Sequence, residues 1–272
     1  MRIGTIIRHA ILLILGAVWI IPLYLFLVNA ATPPKQYGGK ERWQLPQSFG
    51  LTDNISSAWK AAHLSEAVLS TALYAVAGGV LAVLFASMAA FAIISLKVRG
   101  GFLWFLIIYA GTIFPFQMYL SPLYTMYVQR HLYNTHLGML VLYTAIAIPF
   151  ATFVMRNHFT SVPPDLGEAA RLDGAGSVRV FANIFAPLSL NAFATVFILQ
   201  FTWIWNDLLF GLTLSRSADI RPIMAALAAL QGQYSSSGPP VALAGALIVS
   251  IPTFVLFFAV QRVFVRGLRA TA

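Results

Sequence analysis

Along the chain, long stretches without a charged residue alternate with short polar ones, and the lengths of the apolar stretches decide what they form. Ala10–Val28 is uncharged for 19 residues, close to the roughly 20 that an α-helix needs to cross a bilayer. Ala67–Leu96 is uncharged for 30, ample for one tilted span. The pattern predicts six spans, at about 10–28, 67–96, 102–128, 137–155, 188–214 and 241–261. The third is interrupted by Pro115 and Pro122 and the fourth contains Pro149. Between the first two lies a polar segment broken by Pro33, Pro34, Gly38, Gly39 and Pro46. It reads as an external loop with a short helix around Ile55–Ala62. Lys97–Gly101 makes a tight basic turn, and Pro222–Leu230 an interfacial helix. The expected fold is an all-α integral membrane protein of about six transmembrane helices, a single domain over 1–272.

The largest polar interruption, 156–187, falls between the fourth and fifth spans. It predicts a knuckle of two short helices. Pro163 and Pro164 stop any earlier helix. Asp165 with Glu168 three residues on has capping-box spacing, so Asp165 is expected as the N-cap. Leu166–Asp173 makes about two turns, and Gly174 ends them in a left-handed conformation. Ser177 is expected to cap the second short helix, which Pro187 interrupts or joins to the next span.

Composition agrees with the pattern. The chain is 59% hydrophobic and 9% charged, where soluble domains carry about 25% charged residues. The sequence has no cysteine, which excludes disulfides, thiolate metal sites and cysteine nucleophiles. The net charge of +9 is scattered over loops and span ends rather than gathered in one patch. It fits anionic lipid head groups better than nucleic acid. With both termini inside, inner segments hold ten of the 17 basic residues, which places the knuckle in the cytoplasm. Val28-Asn29-Ala30 also fits a lax signal-peptide cleavage site.

Candidate chemistry is sparse. There is no G-x-x-x-x-G-K-[ST], H-E-x-x-H or G-x-S-x-G motif, so the chain is not expected to hydrolyse ATP, hold a metal or act as an enzyme. His9, His63, His131, His136 and His158 fall at span ends or in loops. Asp207 is the only acidic residue within an apolar run. A proton-driven carrier needs relays of such groups, so the driving energy is expected from outside the chain. Trp203, Asn206 and Asp207, at i, i+3 and i+4, share one helix face. An aromatic plate beside hydrogen-bonding groups suits a sugar; an interfacial aromatic belt is the alternative. Gln117, Ser121 and Tyr124, at i, i+4 and i+7, either line a wet path or join helices.

Glu168-Ala169-Ala170, three residues, Gly174, nine residues, Ile184 and Pro187 resemble the EAA loop of ABC-importer permeases. Glu-Ala-Ala-Arg-Leu-Asp-Gly-Ala is similar to the carbohydrate-uptake, maltose-permease-like branch. Trp203-Ile-Trp-Asn-Asp207 resembles a Trp-Asn-Asp signature of the same branch, and the Gln261–Leu268 tail is a weaker match. Ala186 stands where the family usually has Leu, and Asn191 where a second proline is common. The resemblance implies a permease subunit in a bacterial or archaeal cytoplasmic membrane, working by ATP-driven alternating access. Its implied partners are a homologous permease, two ATPase subunits that carry the ATP and Mg, and an extracytoplasmic solute-binding protein. Glu168, Ala169, Ala170, Asp173, Gly174 and Ala175 would couple to the ATPase. Gln233, Tyr234, Ser235, Ser236 and Ser237 would touch the binding protein, or form a plain loop. Other polar solutes (a glycerophosphodiester, a polyamine) and a self-sufficient secondary transporter are the rival functions.

Overall fold

The computed structural model describes residues 3–38, 41–231 and 238–270, the last eleven as backbone. The elements are helical throughout. They are α1 (Ile3–Ala30), α2 (Leu51–Ala61), α3 (Leu64–Ile94), α4 (Gly101–Ala110), α5 (Leu120–Gln129), α6 (His136–Phe159), α7 (Pro164–Leu172), α8 (Ser177–Leu188), α9 (Leu190–Trp205), α10 (Leu209–Leu214), α11 (Ile223–Ala229) and α12 (Gly238–Ala270). Single helical turns at Pro34–Tyr37 and Phe116–Tyr119 join them.

Among the described residues, four helices are long and apolar enough to cross a membrane: Ile7–Ala30, Leu64–Ile94, His136–Phe159 and Gly238–Ala259. The pair α8 and α9, bent by 78°, makes a fifth if counted as one span. The expected third span is not a single helix. Gly111 ends α4, Pro115 stands before the 3₁₀ turn, and α5 starts afresh at Leu120. Pro122 does not break α5, because it lies in the first turn, where a missing N–H costs nothing. Broad apolar surface faces outward, with Leu13 74% and Trp19 80% exposed; in water that would drive association, and in lipid it is the solvated face.

The chain falls into two compact units. In one, comprising 1–65 and 226–251, the end of α1 is tied to α2. Asn54 Nδ2 donates to the Ala30 and Thr32 carbonyls at 2.8 and 2.9 Å, satisfying orphan acceptors past the helix end. Gly245 on α12 lies so close to Leu227 and Ala58 that an added Cβ would stand 2.8 Å from Leu227 Cδ1.

The other unit comprises 66–225 and 252–272. Here α6 packs against α4 and α9. Gly78 and Gly79 let α3 approach its neighbours. A Cβ at Gly78 would touch Ile204 and Tyr143, and one at Gly79 would press on the Phe197 ring at 3.2 Å. Ala86, Ala90, Phe91, Ala151, Met155, Phe159, Val180 and Phe185 form a buried core at the end of the unit that carries α7 and α8.

Candidate functional site

The knuckle is built as a rigid corner. Pro164 occupies the first position of α7 with Pro163 as N-cap, because a fixed φ pre-organises that first turn. Asp165 is therefore inside the helix, and no side chain caps it; the expected capping box is not formed. Glu168 Oε1 instead lies 3.5 Å from Lys97 Nζ, both side chains being well exposed. At the other end of α7 the expectation holds. Gly174 has φ +83°, its N–H reaches the Arg171 carbonyl at 3.0 Å, and Ala175 N–H reaches that of Ala170 at 2.9 Å. This pair of bonds is a Schellman motif, which satisfies two of the last carbonyls and turns the chain. Gly176, not Ser177, is the N-cap of α8, and Ser177 is its first residue without a capping bond. Pro187 does not break α8; the bend comes two residues later, at Ser189.

Aromatic packing fixes the corner to the spans. Phe185 meets Phe91 and Phe159 edge-on at 5.0 and 5.3 Å, and Phe181 meets Phe91 at 5.3 Å. A π-helical turn over Phe181–Phe185 delivers both rings. Arg171 Nη2 donates to Ser95 O and Oγ, each at 2.9 Å. Of the six coupling candidates, Glu168, Ala169, Asp173 and Gly174 are exposed, whereas Ala170 and Ala175 turn inward against the core. Two residues outside that set stand out. Leu172 is 89% and Val178 82% exposed, so the tip of a polar corner ends in two apolar side chains.

At the opposite end of α9 the structure brings Trp203, Asn206 and Asp207 to one cleft of about 600 Å³, with Phe116, Leu199 and Thr202. They do not share a helix face as expected, because α9 ends at Trp205. Asp207 turns inward instead: its Oδ2 accepts from Tyr143 Oη at 2.8 Å and from Gly211 N at 3.1 Å. It links α6 to α10 and spends that oxygen on the protein. Asn206 Nδ2 donates to the Thr202 carbonyl at 2.7 Å. Trp203 lies 5.6 Å from Phe116 and 6.3 Å from Tyr143, ring to ring. It also lines an adjoining cleft of about 360 Å³ with Gln200 and Thr112.

Gln117, Ser121 and Tyr124 are exposed, yet Gln117 belongs to the 3₁₀ turn and the other two to α5, so the expected single stripe is broken. Gln233–Ser237 lie outside the described residues.

Sequence reasoning does not single out Tyr74 or Tyr143, nor pair His136 with a partner. Tyr74 Oη bonds His136 Nδ1 at 2.8 Å and the Ile220 carbonyl at 2.9 Å, and its ring lies 5.8 Å from that of Tyr143. The signal available was a lone acid in an apolar run, which needs a donor from some other span. Tyr143→Phe leaves Asp207 short of that donor. We expect a loss of about 1–3 kcal/mol, read as a lower unfolding temperature of the purified protein in detergent; an unchanged temperature would show that water replaces the phenol.

The family described as binding-protein-dependent transport system inner membrane component matches residues 1–270. The osmoprotective compounds uptake permease protein of Synechocystis is 30% identical over 270 residues, 96% of this chain and 90% of that one. The melibiose/raffinose/stachyose import permease protein of Bacillus subtilis is 30% identical over 273 residues, 100% of this chain and 96% of that one. A chain in the crystal structure of a bacterial ABC transporter involved in import of the acidic polysaccharide alginate superposes with a TM-score of 0.77 at 23% identity, covering 96% of each. That likeness establishes the fold.

Proposed function

Because the chain belongs to the family of binding-protein-dependent transport system inner membrane components, a multi-pass membrane permease and not a catalytic subunit, we propose that it forms half of the transmembrane path of an ABC importer for a sugar or sugar derivative. The observation that carries this reading is the knuckle. It is a corner locked by a Schellman motif and an aromatic cluster, and it ends in two solvated apolar side chains. We assign that tip as the surface a partner covers, since α7 around it is mostly exposed and carries Asp165, Glu168 and Arg171. Family membership implies an ATPase and a binding protein as partners. We assign the finer arrangement as a second, homologous permease, two ATPase subunits holding ATP and Mg, and one knuckle docked on each. ATP-driven closure of the ATPases would then move the knuckles and switch the spans between inward- and outward-facing.

The sugar assignment draws on the import permease of Bacillus subtilis, named for melibiose, raffinose and stachyose, and on the cleft beside Trp203. Its aromatic walls offer stacking faces, and Thr202 and Asn206 offer neutral hydrogen-bonding groups. Gln117, Ser121 and Tyr124 are assigned to the same path, and Gln233–Ser237 to the binding-protein contact. Reconstitution tests the whole reading. The chain with its partners should take up labelled oligosaccharide in proteoliposomes only with ATP and the binding protein. Uptake by the lone chain down a proton gradient would replace the importer with a secondary transporter, and uptake of polyamine or glycerophosphodiester in place of sugar would move the substrate class.

Orientation has its own test. We assign both termini and the knuckle to the cytoplasm. Val98→Cys, in the turn between Lys97 and Arg99, and Gln47→Cys, in the segment between α1 and α2, introduce single thiols into a chain that has none. Val98 is the better inner position than Gly100, whose φ of +72° penalises any side chain. An impermeant thiol reagent added outside should label Gln47→Cys and spare Val98→Cys; the reverse pattern puts the knuckle on the wrong side for an ATPase.

A further inference from the structure

The helix α3 is fastened at both ends by groups from other segments. Its last turn carries no basic residue, and the Ser95 carbonyl just beyond is one of the acceptors that a helix end leaves without a partner. Arg171, on α7, supplies the missing cation. Its guanidinium nitrogen donates to both Ser95 O and Ser95 Oγ at 2.9 Å, a charge-assisted contact at the negative pole of a long helix. Towards the other end, Ser70 Oγ donates to the Asp219 carbonyl. Thr71 Oγ1 accepts from Ile223 N at 2.7 Å, and Tyr74 Oη donates to the Ile220 carbonyl at 2.9 Å. Thr71 and Tyr74 are fully buried. All three bonds end on the five-residue segment Asp219–Ile223.

The helix between these anchors is suited to transmitting a displacement. From Ser70 to Ser95 is about 37 Å at the helical rise of about 1.5 Å per residue, more than the roughly 30 Å of a bilayer's hydrocarbon core. Proline lies inside α1 at Pro22, inside α6 at Pro149 and inside α12 at Pro252. The α8–α9 pair is bent by 78°. Among the described helices long enough to cross a membrane, α3 alone contains no proline, so its hydrogen-bond ladder loses no donor to one. Midway, Gly78 and Gly79 bring it against Tyr143, Ile204 and Phe197.

We propose that α3 is the rod that carries motion of the knuckle to the Asp219–Ile223 segment at the far end of the bundle, and that Arg171 is the strut joining knuckle to rod. Arg171 is thus a positioning residue for transport, not an ATPase contact. The proposal rests on the importer reading and goes beyond it by naming the internal path of coupling.

The test uses the assembled complex in proteoliposomes, measuring ATP hydrolysed and oligosaccharide taken up in the same samples. Arg171→Ala should keep the wild-type amount of copurifying ATPase and continue to hydrolyse ATP. Uptake per ATP should fall about tenfold, the order expected for losing a hydrogen bond to a charged group. Arg171→Lys, which replaces the planar fork by one ammonium, should give an intermediate ratio, and it carries the test where Arg171→Ala inserts poorly. Thr71→Val, at the opposite end of the rod, should show the same fall with hydrolysis intact. Arg171→Cys combined with Ser95→Cys should recover uptake per ATP once a short bifunctional thiol reagent bridges the pair. Loss of the ATPase from Arg171→Ala would make Arg171 a docking residue and overturn the strut. An unchanged uptake per ATP in Arg171→Ala and Thr71→Val would equally overturn it. A wild-type complex without ATP-dependent uptake would take down the importer reading, and the strut with it.

Discussion

Leu172→Glu should strip the ATPase from the purified complex and abolish uptake, while the permease still inserts in the membrane. The side chain is 89% exposed and contributes nothing to the knuckle's own packing, which rests on Ala170, Ala175, Val180 and Phe185. Its removal therefore leaves the corner folded. Val178, on the other side of the Gly174 turn, is 82% exposed as well. Covered by a partner, such a side chain is a natural anchor, and truncating an anchor of this kind costs about 2 kcal/mol or more. Glutamate adds the cost of burying an unpaired charge, several kcal/mol further. Leu172→Met, of similar volume, should retain binding. The measurement is the ratio of ATPase to permease after affinity purification. A wild-type ratio for Leu172→Glu would mean that the knuckle docks through some other surface.

Much of this corner is legible in the sequence. Gly174 was expected in the left-handed region because a polar two-turn helix ended there, and the structure places it at φ +83°. What failed was the start of α7. Capping-box spacing favours Asp165 and Glu168 as the hydrogen-bonding pair and leaves the two prolines as stops. Pro164 begins the helix itself, one residue earlier than the acid, and frees Glu168 to stand near Lys97. Leu172 and Val178 are silent in the sequence for a different reason. In a chain so apolar, two more aliphatic residues carry no signal until their surroundings are seen to be polar and exposed. Asp207 shows the same limit from the other side. Helical periodicity assumes that the helix continues, so it put the acid on a face with Trp203; the chain in fact breaks at Asn206, and the carboxylate turns to Tyr143 and the start of α10. Tyrosines within apolar runs read as bulk, and only the fold shows which of them offers a hydroxyl to a buried acceptor.

If the cleft beside Trp203 holds the solute as proposed, Trp203→Ala should cut uptake about thirtyfold, as losing one aromatic anchor of about 2 kcal/mol implies. The ring packs on Phe116 and Tyr143 and lines both adjoining clefts, so removing it takes an aromatic wall from each. Asn206 and Thr202 then keep their polar groups but lose the face against which a sugar ring would be held. Trp203→Phe retains a stacking surface of smaller area and should keep a measurable part of the uptake. Asp207→Asn probes the opposite role. An amide oxygen can still accept from Tyr143 and from the Gly211 N–H, so uptake should stay within a fewfold of wild type if the acid is structural, as its bonds indicate. ATPase copurification should be normal in all three variants, because the knuckle is untouched. The decisive comparison is therefore Trp203→Ala against Asp207→Asn in the same uptake assay. If the asparagine variant is dead and the alanine variant active, the carboxylate and not the indole meets the solute, and the assignment of the cleft must be inverted.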